Sequence, residues 1–176
     1  TIDSIDVNNV KSSDKTEIET VKSNVEAVLL TTGNGASQAQ INELNAIKTK
    51  CTSLLAKIQD VKDKIADVDT KTDGITVDNV NSGNKANLDS ALATINTLLA
   101  SSNLIADERT ALTTKKAEVE GLLGIISDIS TKIAAIRSVT DGVTLDNVKS
   151  SQKTDLENTL PVIEELLLST NLTSAE

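Results

Sequence analysis

The chain contains three copies of one sequence pattern, and this repetition constrains its fold more than any other feature. The copies read DSIDVNNVKSSDKTEI from Asp3, DGITVDNVNSGNKANL from Asp73 and DGVTLDNVKSSQKTDL from Asp141, so their starts are almost evenly spaced. The first interval is slightly longer than the second, and the extra positions fall in the loop around 33–35. Self-similarity at a fixed period is typical of repeat architectures. The sequence therefore predicts tandem duplication of one structural unit.

A short amphipathic helix follows each copy of the pattern. In the first copy, Ile18, Val21, Val25 and Val28 are spaced like the apolar face of a helix. The predicted short helices span about 12–30, 82–100 and 150–168. Pro161 lies inside the third helix, where it is expected to remove one backbone hydrogen bond and to bend the helix locally.

Two polar positions recur at the start of each short helix. A serine is the predicted N-cap, because its oxygen can accept a hydrogen bond from a free first-turn amide. These serines are Ser12, Ser82 and Ser150. A lysine recurs in the first turn, an unfavourable place for a cation beside the positive end of the helix dipole. We expect each lysine to pair with a carboxylate on a neighbouring helix; these lysines are Lys15, Lys85 and Lys153.

Two longer apolar stripes predict long helices at about 37–68 and 106–139. In the first stripe, apolar residues recur at steps of three and four from Leu44 to Val68. A helix of ~32 residues is ~48 Å long, which is too long to pack within one small bundle. We therefore expect each long helix to complete one three-helix bundle and to begin the next, with Gly121 and Gly124 marking a bend.

These elements predict an all-α fold of tandem three-helix-bundle (spectrin-like) repeats that share their long connecting helices. One complete repeat is expected at 53–121, built from helices at about 53–70, 82–100 and 106–121. Partial repeats are expected at 1–52, as a loop plus two helices, and at 122–176, as two helices. Because repeats need neighbours to cover their faces, the chain is expected to be a fragment of a longer array.

The long helices are expected to begin at capping boxes, in which two residues exchange side-chain and backbone hydrogen bonds. Ser37 with Gln40, and Thr173 with Glu176, occupy equivalent positions and fit this pattern. Ile105 occupies the cap position of the second copy, which is therefore expected to lack the box.

The stretch DVDTKTDGITVDNV, from Asp67 to Val80, comes closest to a chemical site. Its four aspartates and one glycine invite comparison with a calcium loop, but the EF-hand register puts a lysine and a valine at ligand positions 3 and 12. Asp67 and Asp69 also become Ala135 and Arg137 in the third copy. The Asp-Gly pair instead predicts a turn, because glycine accepts a positive φ.

An asparagine followed by a valine recurs in all three loops and is predicted to be structural. We expect the valine to plug the end of the bundle and the asparagine to satisfy backbone groups left open by the chain reversal. A ligand-binding loop is the alternative. The pairs are Asn9-Val10, Asn79-Val80 and Asn147-Val148.

Composition argues against several classes of function. The chain has no Phe, Tyr, Trp, His or Met, and its net charge is −9. Without histidine it lacks the commonest catalytic base and transition-metal ligand. Without aromatic rings it has no stacking surface for bases or sugars, and its negative charge disfavours nucleic acids and anionic membranes. We expect no catalytic residue, cofactor, metal or small-molecule substrate, no nucleic-acid partner and no membrane insertion.

The lone cysteine, Cys51, continues the apolar stripe of the first long helix. Its counterpart in the next copy is Val119, so we expect a small buried side chain rather than a nucleophile. The 26 carboxylates lie mostly on polar helix faces and are expected to be solvated surface rather than an acid–base pair.

The layout resembles the three-helix FIVAR and GA-type modules of Gram-positive surface and secreted proteins. The resemblance rests on the length of the repeat unit, an apolar-lined helix, the loop VTLDNVKSSQK (143–153) and a helix ending LLLSTNLTSAE (166–176). FIVAR modules often carry Tyr-Thr where this chain has Val143-Thr144. The resemblance implies an extracellular, cell-surface or cell-wall location for the parent protein and a non-catalytic role as a semi-rigid spacer or stalk.

Two other functions are left open by the sequence. The first is an adhesin module that binds a host or extracellular-matrix protein, for which Lys48 and Lys116 are recurring surface positions, together with the first-turn lysines. The second is an accessory module of a large secreted carbohydrate-active enzyme, whose catalytic domain would lie elsewhere in the parent.

Overall fold

A computed structural model describes residues 2–31 and 35–176, and within these ranges the chain is helical and contains no strand. The described residues form five α-helices: α1 (Lys15–Leu30), α2 (Gln38–Thr72), α3 (Lys85–Ala100), α4 (Ala106–Thr140) and α5 (Lys153–Leu167). Short 3₁₀ turns occupy Ile2–Ser4, Ser12–Asp14, Ser82–Asn84 and Ser150–Gln152. The predicted all-α class is confirmed.

The long helices form where the apolar stripes predict them. Helices α2 and α4 each contain 35 residues, and α2 extends past the predicted end at Val68 to Thr72. Helix α4 continues through Gly121 and Gly124, and α5 continues through Pro161. The bends expected at these three residues remain predictions.

The described part of the chain divides into two compact units. Unit 1 holds the described residues of Thr1–Thr70 together with Ala93–Lys116, and unit 2 holds Lys71–Leu92 together with Ala117–Glu176. The repeat boundaries predicted after residues 52 and 121 were placed by comparing the sequence copies, and they do not coincide with the borders of these two units. They remain predictions.

The core of unit 1 joins the amino-terminal loop to α1 and α2. Helix α2 contributes Cys51, Leu54 and Ile58, whose spacing places them on one face of the helix. Cys51 is fully buried, as predicted, and burial raises the pKa of its thiol. Because the thiolate is the reactive form, this cysteine is a poor nucleophile. The remaining buried members of the cluster are Ile2, Val10 and Ile18.

Unit 2 shows the same burial pattern at the equivalent positions. Val119, Leu122 and Ile126 are buried along α4, and they correspond to Cys51, Leu54 and Ile58 of α2. The repeated sequence therefore produces a repeated apolar face on the two long helices.

The predicted serine caps are wrong by one residue. The N-cap positions, with extended backbone, are occupied by Lys11, Asn81 and Lys149. The side chain three residues further on accepts a hydrogen bond from each N-cap amide. In the first copy this acceptor is Asp14, at 2.9 Å, and Asn84 and Gln152 play the same role at 2.9 and 2.8 Å. Each serine therefore lies inside the 3₁₀ turn.

The recurrent lysines also pair differently from the prediction. Each one contacts a carboxylate four residues later on its own helix, and the expected partner on a neighbouring helix is therefore wrong. Residues four apart lie on the same helix face, which makes this the nearest carboxylate. These exposed pairs contribute little to stability. The pairs are Lys15–Glu19 at 3.5 Å, Lys85–Asp89 at 2.6 Å and Lys153–Glu157 at 3.5 Å.

The capping box of α2 is confirmed. The Gln40 amide donates to Ser37 Oγ at 3.3 Å, and the Ser37 amide donates to Gln40 Oε1 at 2.8 Å. Helix α4 retains half of the box, because the Ile105 amide donates to Glu108 Oε2 at 3.0 Å. The prediction that the second copy lacks the box is therefore correct for one bond only. Ile105 has no side-chain oxygen to accept a hydrogen bond, but its backbone amide still donates to Glu108.

The Asp-Gly turns are confirmed. Gly74 and Gly142 have φ angles of +70° and +78°, in the left-handed region that glycine adopts without strain. Asp67 and Asp69 lie within α2, before the turn. Among residues 2–31 and 35–176, no group of three or more acidic, histidine or cysteine side chains is placed to hold a metal ion.

We predict opposite effects for the same substitution at two exposed glycines. Gly74→Ala should destabilise the chain by about 1–2 kcal/mol, because a side chain strains the left-handed backbone. Gly121→Ala should stabilise it by about 0.5–1 kcal/mol, because alanine favours the helix and an added Cβ meets no atom within 4 Å. Urea unfolding midpoints measure both changes, and a shift in the same direction for both variants would contradict the prediction.

Candidate functional site

The recurrent loops fold alike around their asparagines. We define them as loop 1 (residues 4–10), loop 2 (74–80) and loop 3 (142–148). In loop 1, Asn9 Oδ1 accepts from the Asp6 amide at 2.8 Å, and Asn9 Nδ2 donates to the Ser4 carbonyl at 3.2 Å. Asn79 and Asn147 make the equivalent two bonds at 2.7 to 2.8 Å. The predicted structural role of these asparagines is confirmed.

The valine that follows each asparagine is buried in two loops out of three. Val10 and Val80 are 1% and 0% exposed, as predicted, but Val148 is 45% exposed. The predicted burial is therefore wrong for loop 3. The difference arises from what lies against each loop, since the loops themselves share one hydrogen-bonding pattern.

A segment of unit 1 docks on loop 1 through a single asparagine side chain. Asn103 Nδ2 donates to the carbonyl oxygens of Val7 and Val10, at 3.0 and 2.8 Å. Its Oδ1 accepts from the Ser101 hydroxyl at 2.7 Å, so the orientation of the amide is fixed. Asn103 and the adjacent Leu104 are both 4% exposed. The loop carbonyls are thus satisfied by a residue from the following copy of the repeat.

The equivalent segment of unit 2 docks on loop 2 in the same way. Asn171 Nδ2 donates to the carbonyl oxygens of Val77 and Val80, at 2.9 and 2.8 Å. The Ser169 hydroxyl donates to Asn171 Oδ1 at 3.1 Å, and the Thr170 hydroxyl donates to the Asp78 carbonyl. We call residues 101–108 (SSNLIADE) and 169–176 (STNLTSAE) the docking segments.

A glutamate at the end of each docking segment lies near the serine that follows the loop. Glu108 accepts from the Ser12 hydroxyl at 2.7 Å. Glu176 accepts from the Thr173 amide and from the Thr173 hydroxyl, both at 2.8 Å, and it lies near Ser82. These bonds, with that of the Thr173 amide the strongest influence, lower the pKa of the Glu176 side chain. Ser12, which was expected to cap the first short helix, therefore binds a docking segment instead.

The sequence analysis did not predict a docking role for Asn103 or Asn171. The available signal was the recurrence of Ser-(Ser/Thr)-Asn-Leu at 101–104 and 169–172, with a glutamate closing the segment both times. The corresponding stretch of the first copy, where the extra positions were placed, includes residues 32–34. It lies partly outside the described residues.

Loop 3 lies beside an open groove. The groove has a volume of about 310 Å³, and we call it the loop-3 groove. Leu160 on its edge is 57% exposed and Val148 is 45% exposed. Its lining includes Thr140, Val148, Leu156, Thr159, Leu160 and Ile163.

The recurring surface lysine of α2 is engaged in an ion pair within unit 1. Lys48 lies 3.3 Å from Glu26 on α1. Hydrogen bonds from Lys22 and then Lys48 lower the pKa of Glu26. The Lys48–Glu26 pair is half-buried and joins two helices, whereas the Lys22–Glu26 pair lies within α1.

The arrangement of the loops presents hydrogen-bond acceptors to side-chain donors. Its recurrent feature is a pair of backbone carbonyls that accept from one side-chain amide.

No helix in residues 2–31 and 35–176 combines the length and apolar character needed to cross a bilayer. Comparison with protein-family models, with curated proteins and with solved structures gives no match to this chain.

We predict that Asn103→Ala destabilises unit 1 by about 1–3 kcal/mol, because it leaves two loop carbonyls without their donor. The matched control is Asn96→Ala, an exposed position on α3, which should change stability by less than about 0.5 kcal/mol. Urea unfolding of both variants measures the difference. Equal midpoints for the two variants would mean that the docking bonds are unimportant.

We predict that the Glu176 side chain titrates below its ordinary value of 4.5 and that Ser82→Ala moves its pKa upward. Since the folded-state pKa is lowered, the bonded carboxylate stabilises the fold above about pH 4.5 and this contribution is lost as pH falls further. NMR titration of the side-chain carboxyl carbon measures the shift. Ser151→Ala, beside loop 3, is the control and should leave this pKa unchanged.

Proposed function

We propose that the chain is a non-catalytic, semi-rigid spacer segment of an extracellular bacterial surface protein. In this proposal its tandem three-helix bundles share long helices and hold another part of the parent protein at a distance. The observation that supports it most is the docking of Asn103 on loop 1 and of Asn171 on loop 2, because each bond pair joins one sequence copy to the copy before it.

Helix continuity supports the same proposal. Helices α2 and α4 pass without interruption through the predicted repeat boundaries after residues 52 and 121. A continuous helix is a stiff connection, whereas a Gly/Ser-rich linker behaves as a flexible coil. Successive copies are therefore joined both by backbone hydrogen bonds along a helix and by side-chain bonds between a segment and a loop.

The composition agrees with a passive role. The chain has no histidine and no aromatic residue, and its one thiol is buried. The only support for the proposed extracellular location is the resemblance of the sequence to FIVAR and GA-type modules.

Small-angle X-ray scattering tests the spacer with two variants at one position. We expect an elongated particle for the native chain and for Gly121→Ala. Gly121→Pro should shorten and broaden the distance distribution, because proline removes a backbone hydrogen bond and clashes with the preceding turn of α4. A compact native profile, or identical curves for the alanine and proline variants, would contradict the proposal.

A further inference from the structure

We infer that loop 3 and the loop-3 groove form a docking site for a further repeat unit that carries a Ser-(Ser/Thr)-Asn-Leu segment. The inference rests on the repeat organisation in the proposed function and names the partner that this surface fits. The evidence is internal to the chain, since two equivalent loops already hold such segments.

The two occupied loops define the chemistry of the interaction. In each, one side-chain amide donates to two loop carbonyls at 2.8 to 3.0 Å, and the second of these belongs to the residue just before the N-cap. At loop 1, Glu108 at the end of the docking segment also accepts from Ser12, which begins the 3₁₀ turn. At loop 2, Ser82 lies near the equivalent Glu176. Two independent occurrences with the same partners make this a property of the loop rather than of one contact.

Loop 3 offers the same acceptors in the same conformation. Asn147 makes both internal bonds that shape loops 1 and 2, and Gly142 has the positive φ of Gly74. The carbonyls of Leu145 and Val148 correspond to those that Asn103 and Asn171 bind. Within the part of the chain that the structure describes, no side chain donates to these two carbonyls.

The apolar surface beside loop 3 is more exposed than the equivalent surface beside loop 2. In the second copy most positions equivalent to the groove are closed: Thr72, Val80, Leu88, Ala91 and Ile95 are at most 8% exposed. In the third copy, Val148 and Leu160 remain 45% and 57% exposed. Covering apolar surface of this kind is favourable, because it removes that surface from water.

A further repeat fits this site better than a second copy of the chain does. Both docking segments of the chain already occupy loops within their own units, so a second copy would have to release one before binding. A further repeat joined to α5 through Thr173–Glu176 brings an unoccupied segment. The half capping box at Thr173 and Glu176, with the threonine amide 2.8 Å from the carboxylate, resembles the start of α4 at Ile105.

The test extends the native chain by one repeat. Residues 109–176 are copied after Glu176, which preserves the register because Glu108 and Glu176 are equivalent. Backbone amides of loop 3 should then exchange with solvent at least about tenfold more slowly than in the native chain, as expected for a segment that must open before it exchanges. The control is the same extension with Asn171→Ala in the appended copy alone, which should restore fast exchange.

A second extension guards against misfolding of the first. Residues 41–108 appended after Glu176 place Asn103 in the same register and should protect loop 3 to the same extent. If neither extension slows exchange in loop 3, or if the control slows it equally, the inference is wrong. Protection of loop 3 in the native chain that grows with concentration would identify a second copy as the partner and would also overturn it.

The two proposals fail separately. Scattering of the native chain and the Gly121 variants tests the spacer without any occupant on loop 3. Exchange in the extended chain tests the docking site whatever the shape of the particle.

Discussion

The structure depends on a single side-chain amide that satisfies two backbone carbonyls of a distant loop. A buried carbonyl without a donor is costly, and the bond from Asn103 to the Val10 carbonyl is buried. Asn103, 4% exposed, supplies both donors to loop 1, and Asn171 supplies both to loop 2. Ser101 and Ser169 fix the orientation of these amides, so the contact specifies one register between segments that lie far apart in sequence.

Much of the remaining structure follows from local pattern. Cys51, Leu54 and Ile58 recur at steps of three and four, and α2 turns this face into the core of unit 1. The buried residues include no aromatic ring. Each helix contributes a narrow apolar stripe to the core, and the loops add the buried side chains of Val10 and Val80. Ion pairs near the surface, such as the half-buried Lys48–Glu26 pair, add little to this stability.

The helices were predictable from sequence because periodicity is local information, and so were the turns at Gly74 and Gly142. The docking contacts were not, since they depend on which distant segment faces each loop. The residues around Ser12 predicted that its side chain caps the helix. In the structure Asp14 accepts a hydrogen bond from the N-cap amide of Lys11, and the Ser12 hydroxyl donates to Glu108. The burial of Val148, predicted from the recurrence of the Asn-Val pair, was wrong. Loop 3 has different surroundings from loops 1 and 2, and Val148 is half exposed.

Hydrogen exchange of asparagine side-chain amides, measured by NMR at residue resolution, tests the central claim most directly. The protons on Nδ2 of Asn103 and Asn171 should exchange far more slowly than those of Asn96, which lies exposed on α3. Exchange of Asn103 and Asn171 at the rate of Asn96 would show that neither amide holds its loop, and the proposed linkage between repeats would then be wrong.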